Sequence, residues 1–194
     1  LWAVRLEPEH KEPFWRLAVN GFAGFGMHAA QVTRGQPAAR CPCGLAMPLG
    51  DREHHFWSCC VALHLRESLE AELDGVMSSP VLEKQHLWLA LPPGGASGVV
   101  WDVVCLAAVA ALECGRQWLY AARPAQGPVP AATRTRIGVR VIADFWARLR
   151  AFVEDCGQGF HKAWCDVPRG HPFLGGGPRG PRLNPPADVE PPSP

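Results

Sequence analysis

What this sequence lacks first of all is an imbalance of charge. Its 19 lysines and arginines are nearly cancelled by 18 aspartates and glutamates, leaving a formal net charge of +1. Such a chain generates no strong field to draw it onto nucleic acid or an anionic membrane, so any such binding has to come from a local patch. Neither a phosphate-cradling P-loop nor a nucleophile elbow occurs, and the paired aspartates of a polymerase active site are missing too. An enzyme is therefore the weakest reading, and no small-molecule substrate is expected. No segment alternates apolar and polar residues as a half-buried strand would. The apolar run between Asp102 and Glu113 is too short to span a bilayer. No signal peptide opens the chain, and it is not a short cysteine-dense scaffold, so a disulfide framework is not expected although the eight cysteines are an even number. Metal-bound and buried free thiols in a reducing, intracellular compartment fit better. The chain begins at Leu1 rather than Met and is expected to be a fragment of something longer.

Against these absences stands one dense cluster. The stretch CPCGLAMPLGDREHHFWSCC, residues 41–60, holds four of the eight cysteines and the adjacent histidines His54 and His55. Cys41 and Cys43 are one residue apart, a loop of about ten follows, and four residues separate His54 from Cys59. Thiolates and imidazoles are the ligands a tetrahedral zinc prefers, and a closed Cys3His set is structural rather than catalytic. His54 and Cys59 can both face an ion from the first turns of a helix, where positions four or five apart lie near one face. Gly44 supplies the opposing loop with a residue free to take positive φ. A catalytic zinc keeps an open position beside a general base; four ligands leave none open, and Glu53 is read as a surface or supporting group. The competing reading is two buried thiols and two exposed histidines with no metal, and the Cys-x-Cys spacing, tighter than the usual Cys-x2–4-Cys, keeps it in view.

Around the cluster the sequence reads as helices. Residues 1–13 are mixed in charge and look like a connector. Phe14, Trp15, Leu17, Ala18, Gly21, Phe22 and Phe25 fall at helical spacing to about 28, with an end or kink near Gly24. Val61, Ala62, Leu65, Leu69 and Leu73 predict a helix over about 55–74. These parts make a module over 14–79, followed by a turn-rich linker over 80–98. A helical C-terminal domain is expected over 99–174. Within it, 100–122 reads as one apolar core helix whose Ala107, Ala108, Ala110 and Ala111 permit close approach, with Cys105 and Cys114 as small buried residues. Val139, Ile142, Ala143, Trp146, Leu149, Phe152 and Val153 mark an amphipathic helix over 132–156, whose other face carries Arg134, Arg136, Arg140, Arg148 and Arg150. Trp164, Pro168, His171, Pro172 and Phe173 suggest a short docking segment. The Pro- and Gly-rich tail, 175–194, is expected to be disordered. The fold class is thus mainly α: a small zinc-stapled helical module, a helical C-terminal block and a disordered tail.

FWRLAVNGF, then CPCG, then DREHHFWSCCVA resembles the zinc-binding region that follows the reverse transcriptase in non-LTR retrotransposon polyproteins. Trp15, Arg16 and Leu17 match that family's leading helix, Cys41 and Cys43 its cysteine pair, and Glu53, His54, Phe56, Trp57 and Cys59 its second half. Cys60 stands where the family commonly has proline and is a possible competitor as ligand. VWDVVCLAAVAALECGR and VPRGHPFL are also similar to the downstream region of green-algal members. The resemblance implies one structural zinc on Cys41, Cys43, His54 and Cys59. His54 is then the ligand rather than His55, which lies about 100° further round a helix. It also implies a non-catalytic accessory domain that helps an upstream reverse transcriptase engage template RNA or target DNA, in the nucleus. Candidate phosphate contacts are Arg16, Arg34, Arg40 and Arg52 near the metal loop, with Arg136 and Arg140 as a second patch; such contacts position without specifying sequence. Two alternatives remain: a zinc-stabilised protein–protein module using Phe56 and Trp57 or the alanine-rich helix, and a decayed element copy without activity.

Overall fold

The computed structural model describes residues 4, 6–21, 40–45, 51–73, 81–93, 98–156, 174–177 and 180–183. The expected kink at Gly24, Arg34, the docking segment around Trp164 and most of the tail lie outside them. The described chain is mainly helical.

Helix α1 spans Pro8–Val19 and so begins inside the segment read as a connector. Its first turn has no apolar stripe to betray it; instead Pro8 sits at the start, where its missing N–H costs nothing, and Glu9 meets the positive end of the dipole. Asn20 closes it in the left-handed region, its N–H turned back on the carbonyls of Arg16 and Leu17. Phe14 and Leu17 form the buried face, whereas Trp15 is exposed.

The helix expected over 55–74 is in fact broken. A π-helical turn covers His54–Ser58, Cys59 is extended at φ −64°, ψ 147°, and helix α2 runs over Cys60–Leu73. Val61, Ala62, Leu65, Leu69 and Leu73 are buried as the spacing indicated.

Residues 81–93, within the segment expected to be a linker, are not a loose connection. Helix α3, Lys84–Trp88, forms there behind a reciprocal cap in which Glu83 and His86 satisfy one another's backbone N–H groups. Leu82 and Leu87 are buried. Leu82 N–H donates to Glu70 of α2 at 2.9 Å. The Trp101 indole N–H donates to the His86 carbonyl at 2.8 Å. The run is too short for a periodic signal, which is why composition alone read it as linker.

Helix α4, Gly98–Ala121, is the central element. It is long and apolar enough to cross a bilayer by length and composition, but most of its apolar stretch is buried inside the fold. Helix α5, Ala131–Asp155, lies along it with Ile137, Val141, Phe145, Trp146, Leu149, Phe152 and Val153 facing in. Val139, assigned to that stripe by spacing, points out instead. Helix α2 packs on α5 and α4, and α1 packs on α4. The closest crossing is at Gly115, where a Cβ would come within 2.4 Å of Val141 and 2.8 Å of Val61. Buried residues of both halves of the chain form one contiguous core.

Where the expected C-terminal domain meets the tail expected to be disordered, Leu174–Gly177 and Gly180–Leu183 pair as a two-stranded antiparallel ladder, Leu174 opposite Leu183. Consecutive glycines carry no side-chain pattern from which such pairing is legible, yet their backbones extend without steric cost.

Candidate metal centre

The centre is built from a tight loop and the π-helical turn. In the loop, Gly44 takes φ +93°, Gly44 N–H donates to the Cys41 carbonyl at 3.3 Å, and Leu45 N–H donates to Cys43 Sγ at 3.4 Å. The loop is anchored from the far end of the chain. Val129 N–H donates to the Pro42 carbonyl at 2.8 Å, and the Arg134 guanidinium of α5 donates to the carbonyl of Cys43. Pro128 packs close against Gly44, 3.1 Å from where a Cβ would stand.

The π-helical turn explains the four-residue spacing between His54 and Cys59. Its i+5 hydrogen bond runs from Cys59 N–H to the His54 carbonyl at 2.6 Å, so that His54 and Cys59 are stacked one turn apart. An α-helix would put i+5 well off the face of i, and the extended backbone of Cys59 then frees its side chain from the path of α2. Asp51 starts the turn by accepting His54 N–H at 3.2 Å. His54 Nε2 lies 3.3 Å from Cys43 Sγ, and its Nδ1 lies 3.4 Å from Ser58 Oγ.

Cys41, His54, His55 and Cys59 are all buried, and one potential ligand atom from each lies within 4.8 Å of the others. Thiolates and imidazoles about one tetrahedral ion stand roughly 3.3–3.8 Å apart, so the cluster can close on a metal ion with modest movement. Cys43, half of the cysteine pair, adjoins the group through His54. Its thiol is held far below the usual range by hydrogen bonds from Cys41, Cys59 and Cys60 and by the adjacent His54, with burial acting the other way. The thiols of Cys41, Cys59 and Cys60 are pushed up, first by holding the proton in those bonds and then by burial. Several sulfurs converging on one thiolate is a donor set suited to a cation that would replace the shared protons. The described cysteines are free thiols.

His55 departs from its expected place. Expected to turn away from the ion, it is buried against the cluster: its ring centroid lies 5.3 Å from that of His54, and its Nε2 lies 2.9 Å from the hydroxyl of Tyr120 on α4. The argument that adjacent histidines diverge by about 100° holds for an α-helix. In the π-helical turn the two rings instead reach one cluster. Burial first, then the neighbouring His54 and Arg116 charges, lower its pKa to about 4, which keeps the imidazole neutral and able to ligate. Tyr120 was not legible as part of the site, although it is the single tyrosine of the chain. Arg134 was read only as one of a row of surface arginines, because nothing in a helical stripe says that one member reaches a loop 91 residues earlier.

The arginines divide. Arg16 pairs with Glu12 on its own helix. Arg52 donates to the carbonyls of Leu17 and Ala18 at 2.8 and 3.2 Å and stacks on Trp88, so it caps the end of α1 rather than facing solvent. Arg148 is tied to Asp144 and to the sulfur of Cys114. Arg40, Arg136 and Arg140 are exposed, Arg140 lying 4.0 Å above the Trp118 ring. Glu53 is exposed and pairs with Lys84 at 2.8 Å. Phe56 is buried and Trp57 is half-buried beneath Arg66, so neither serves as the exposed aromatic docking surface that the sequence suggested. Comparison with protein-family models, with curated proteins and with solved structures finds no match to this chain.

Proposed function

We propose that the chain is a non-catalytic module in which one structural zinc staples the Cys41–Cys43 loop to the His54–Cys59 turn, and that it serves a nucleic-acid-handling protein of the non-LTR retrotransposon type by contacting RNA or DNA phosphates. The observation that carries the metal part is the buried convergence of Cys41, His54, His55 and Cys59, with Cys43 against His54. Zinc is the ion of choice because it is redox-inert, accepts mixed sulfur and nitrogen ligands, and takes the closed four-coordinate geometry that such a set supplies. A buried centre with more than four donors leaves no solvent-facing position for substrate, in keeping with a structural role.

The nucleic-acid part rests on the resemblance of the FWRLAVNGF, CPCG and DREHHFWSC runs and on the exposed arginines 40, 136 and 140. Arg52, tied to the end of α1, is set aside as a phosphate contact, and Arg16 is held in an exposed pair with Glu12. A second reading, a protein–protein module, is favoured by one feature: Trp15, 52% exposed, borders an open apolar groove of about 360 Å³ with Leu6, Pro8, Lys11 and Glu12.

One experiment separates them. The purified chain is assayed for metal content and, zinc-loaded, titrated with single-stranded RNA and with duplex DNA at rising salt. Three phosphate contacts on duplex DNA release counterions with a log–log slope of about −3, and replacing Arg40, Arg136 and Arg140 together by Ala should flatten it and weaken binding to all sequences alike. A zinc-loaded chain that binds neither nucleic acid at low salt removes the nucleic-acid part and leaves the protein–protein module. A chain that takes up no metal removes the centre itself.

A further inference from the structure

The centre holds more donors than one four-coordinate ion can use. Cys41, His54, His55 and Cys59 converge as one set, and a fifth donor, Cys43, adjoins it beside His54. The fourth position is contested: Cys43 approaches from the loop, 3.3 Å from His54 Nε2, while His55 brings a ring nitrogen to within 4.8 Å of the other three donors from the π-helical turn. Each contender is held by a different helix. The Cys43 carbonyl receives Arg134 of α5, and the His55 ring is fixed by the Tyr120 hydroxyl of α4, 2.9 Å from Nε2. A histidine ring fixed by a hydrogen bond from outside the cluster is the usual arrangement for a ligating imidazole, because that bond sets its plane before the metal arrives.

We infer that Cys43 and His55 are alternative ligands for one coordination position, Cys43 offered by the loop and His55 by the π-helical turn, where Tyr120 keeps it oriented. The inference rests on the metal-centre reading above. With Cys43 bound, three thiolates and one imidazole leave a divalent ion with one net negative charge; with His55 bound, two thiolates and two imidazoles leave it neutral. The exchange thus changes the charge of a buried site by one unit without releasing the ion. It lets the Cys43 side chain be modified or withdrawn while the loop stays stapled through Cys41 and the turn through His54 and Cys59. Tyr120 is a positioning residue in this scheme, acting only through His55.

The test uses the full chain loaded with Co2+, whose visible spectrum reports thiolate ligation. The wild type should bind one equivalent, and His55→Phe should also bind one, with charge-transfer intensity for three thiolates. Cys43→Ser should still bind one equivalent, with that intensity lower by about a third as three sulfurs become two. Cys43→Ser with His55→Phe should lose the ion. Cys43→Ser with Tyr120→Phe should keep the two-thiolate spectrum but bind roughly tenfold or more weakly, the usual consequence of removing a ligand's supporting hydrogen bond. Four results overturn the inference: a Cys43→Ser chain that neither folds nor takes up Co2+, a double variant that binds as well as Cys43→Ser because Cys60 steps in, a His55→Phe chain that takes up no Co2+, or two equivalents bound by the wild type. A wild type that binds no Co2+ at all removes the metal-centre reading instead.

Discussion

Arg52 shows how far a residue's position in sequence can mislead about its task. Two residues before His54, it has the charge and place of a phosphate contact. Folding turns it instead onto the carbonyls of Leu17 and Ala18 and over the face of Trp88. Those carbonyls lie in the last turn of α1, where the helix supplies no i+4 donor; Leu17 also accepts the Asn20 N–H, and the guanidinium adds a charged donor to both at the negative end of the dipole. Arg52→Ala should therefore lower stability by about 1.5–3 kcal/mol, the range for a hydrogen bond from a charged group, without changing metal stoichiometry. Urea unfolding at saturating zinc measures the first and elemental analysis the second. An unchanged midpoint together with weaker nucleic-acid binding would return Arg52 to the surface role.

At the scale of elements, the chain is held together by what small residues permit. Gly115 lies where α4 meets both α5 and α2; the Cβ of an alanine would stand 2.4 Å from Val141 and 2.8 Å from Val61. Both neighbours are β-branched and stiff in a helix, so they yield only by moving backbone. Gly115→Ala should cost about 1–3 kcal/mol, as overpacking does, despite the better helix propensity of alanine. Gly98→Ala, with nothing within 4 Å of the added methyl, is the control and should be near neutral or slightly stabilising. Thermal melts of the two variants decide the point, and equal melting temperatures would mean that the crossing relaxes more than the packing indicates. The legibility of the elements follows the same physics. Helices α4 and α5 are long, so their apolar patterns repeat often enough to be read from sequence. Short α3 shows itself only through its docking on Trp101 and Glu70, and the first turn of α1 is polar and leaves no periodic trace.

For the whole molecule, the metal loop and the C-terminal helices are one mechanical unit. Val129 and Arg134 hold the backbone of the Cys41–Cys43 loop, Tyr120 holds His55, and buried residues from α1 through α5 share one core. Removing the ion with a chelator should accordingly lower the midpoint of a single cooperative transition rather than detach a separate early melt. An ion that binds only the folded state adds about 1.4 kcal/mol for each tenfold rise in its free concentration above Kd. Circular dichroism melts across buffered zinc concentrations should trace that dependence. Two well-separated transitions, only one of them zinc-dependent, would show that the blocks fold independently.

The sequence by itself determined the helical class, the two long C-terminal helices and the identity of the cluster, because thiols and imidazoles at fixed spacing and apolar residues at helical period are local signals. Cys41, Cys43, His54 and Cys59 were all nameable from residues 41–60 alone, and the structure brings Cys41, His54 and Cys59 together with Cys43 against His54. Only the tertiary structure decided that His55 joins them, that Tyr120 and Arg134 support the two sides of the centre, and that Arg52 and Phe56 face inward. The physical reason is distance along the chain. Tyr120 stands 65 residues from His55, and Arg134 stands 91 from Cys43. A contact of that separation exists only once α4 and α5 have packed, and no local pattern encodes which side chain of an amphipathic helix will land on a loop.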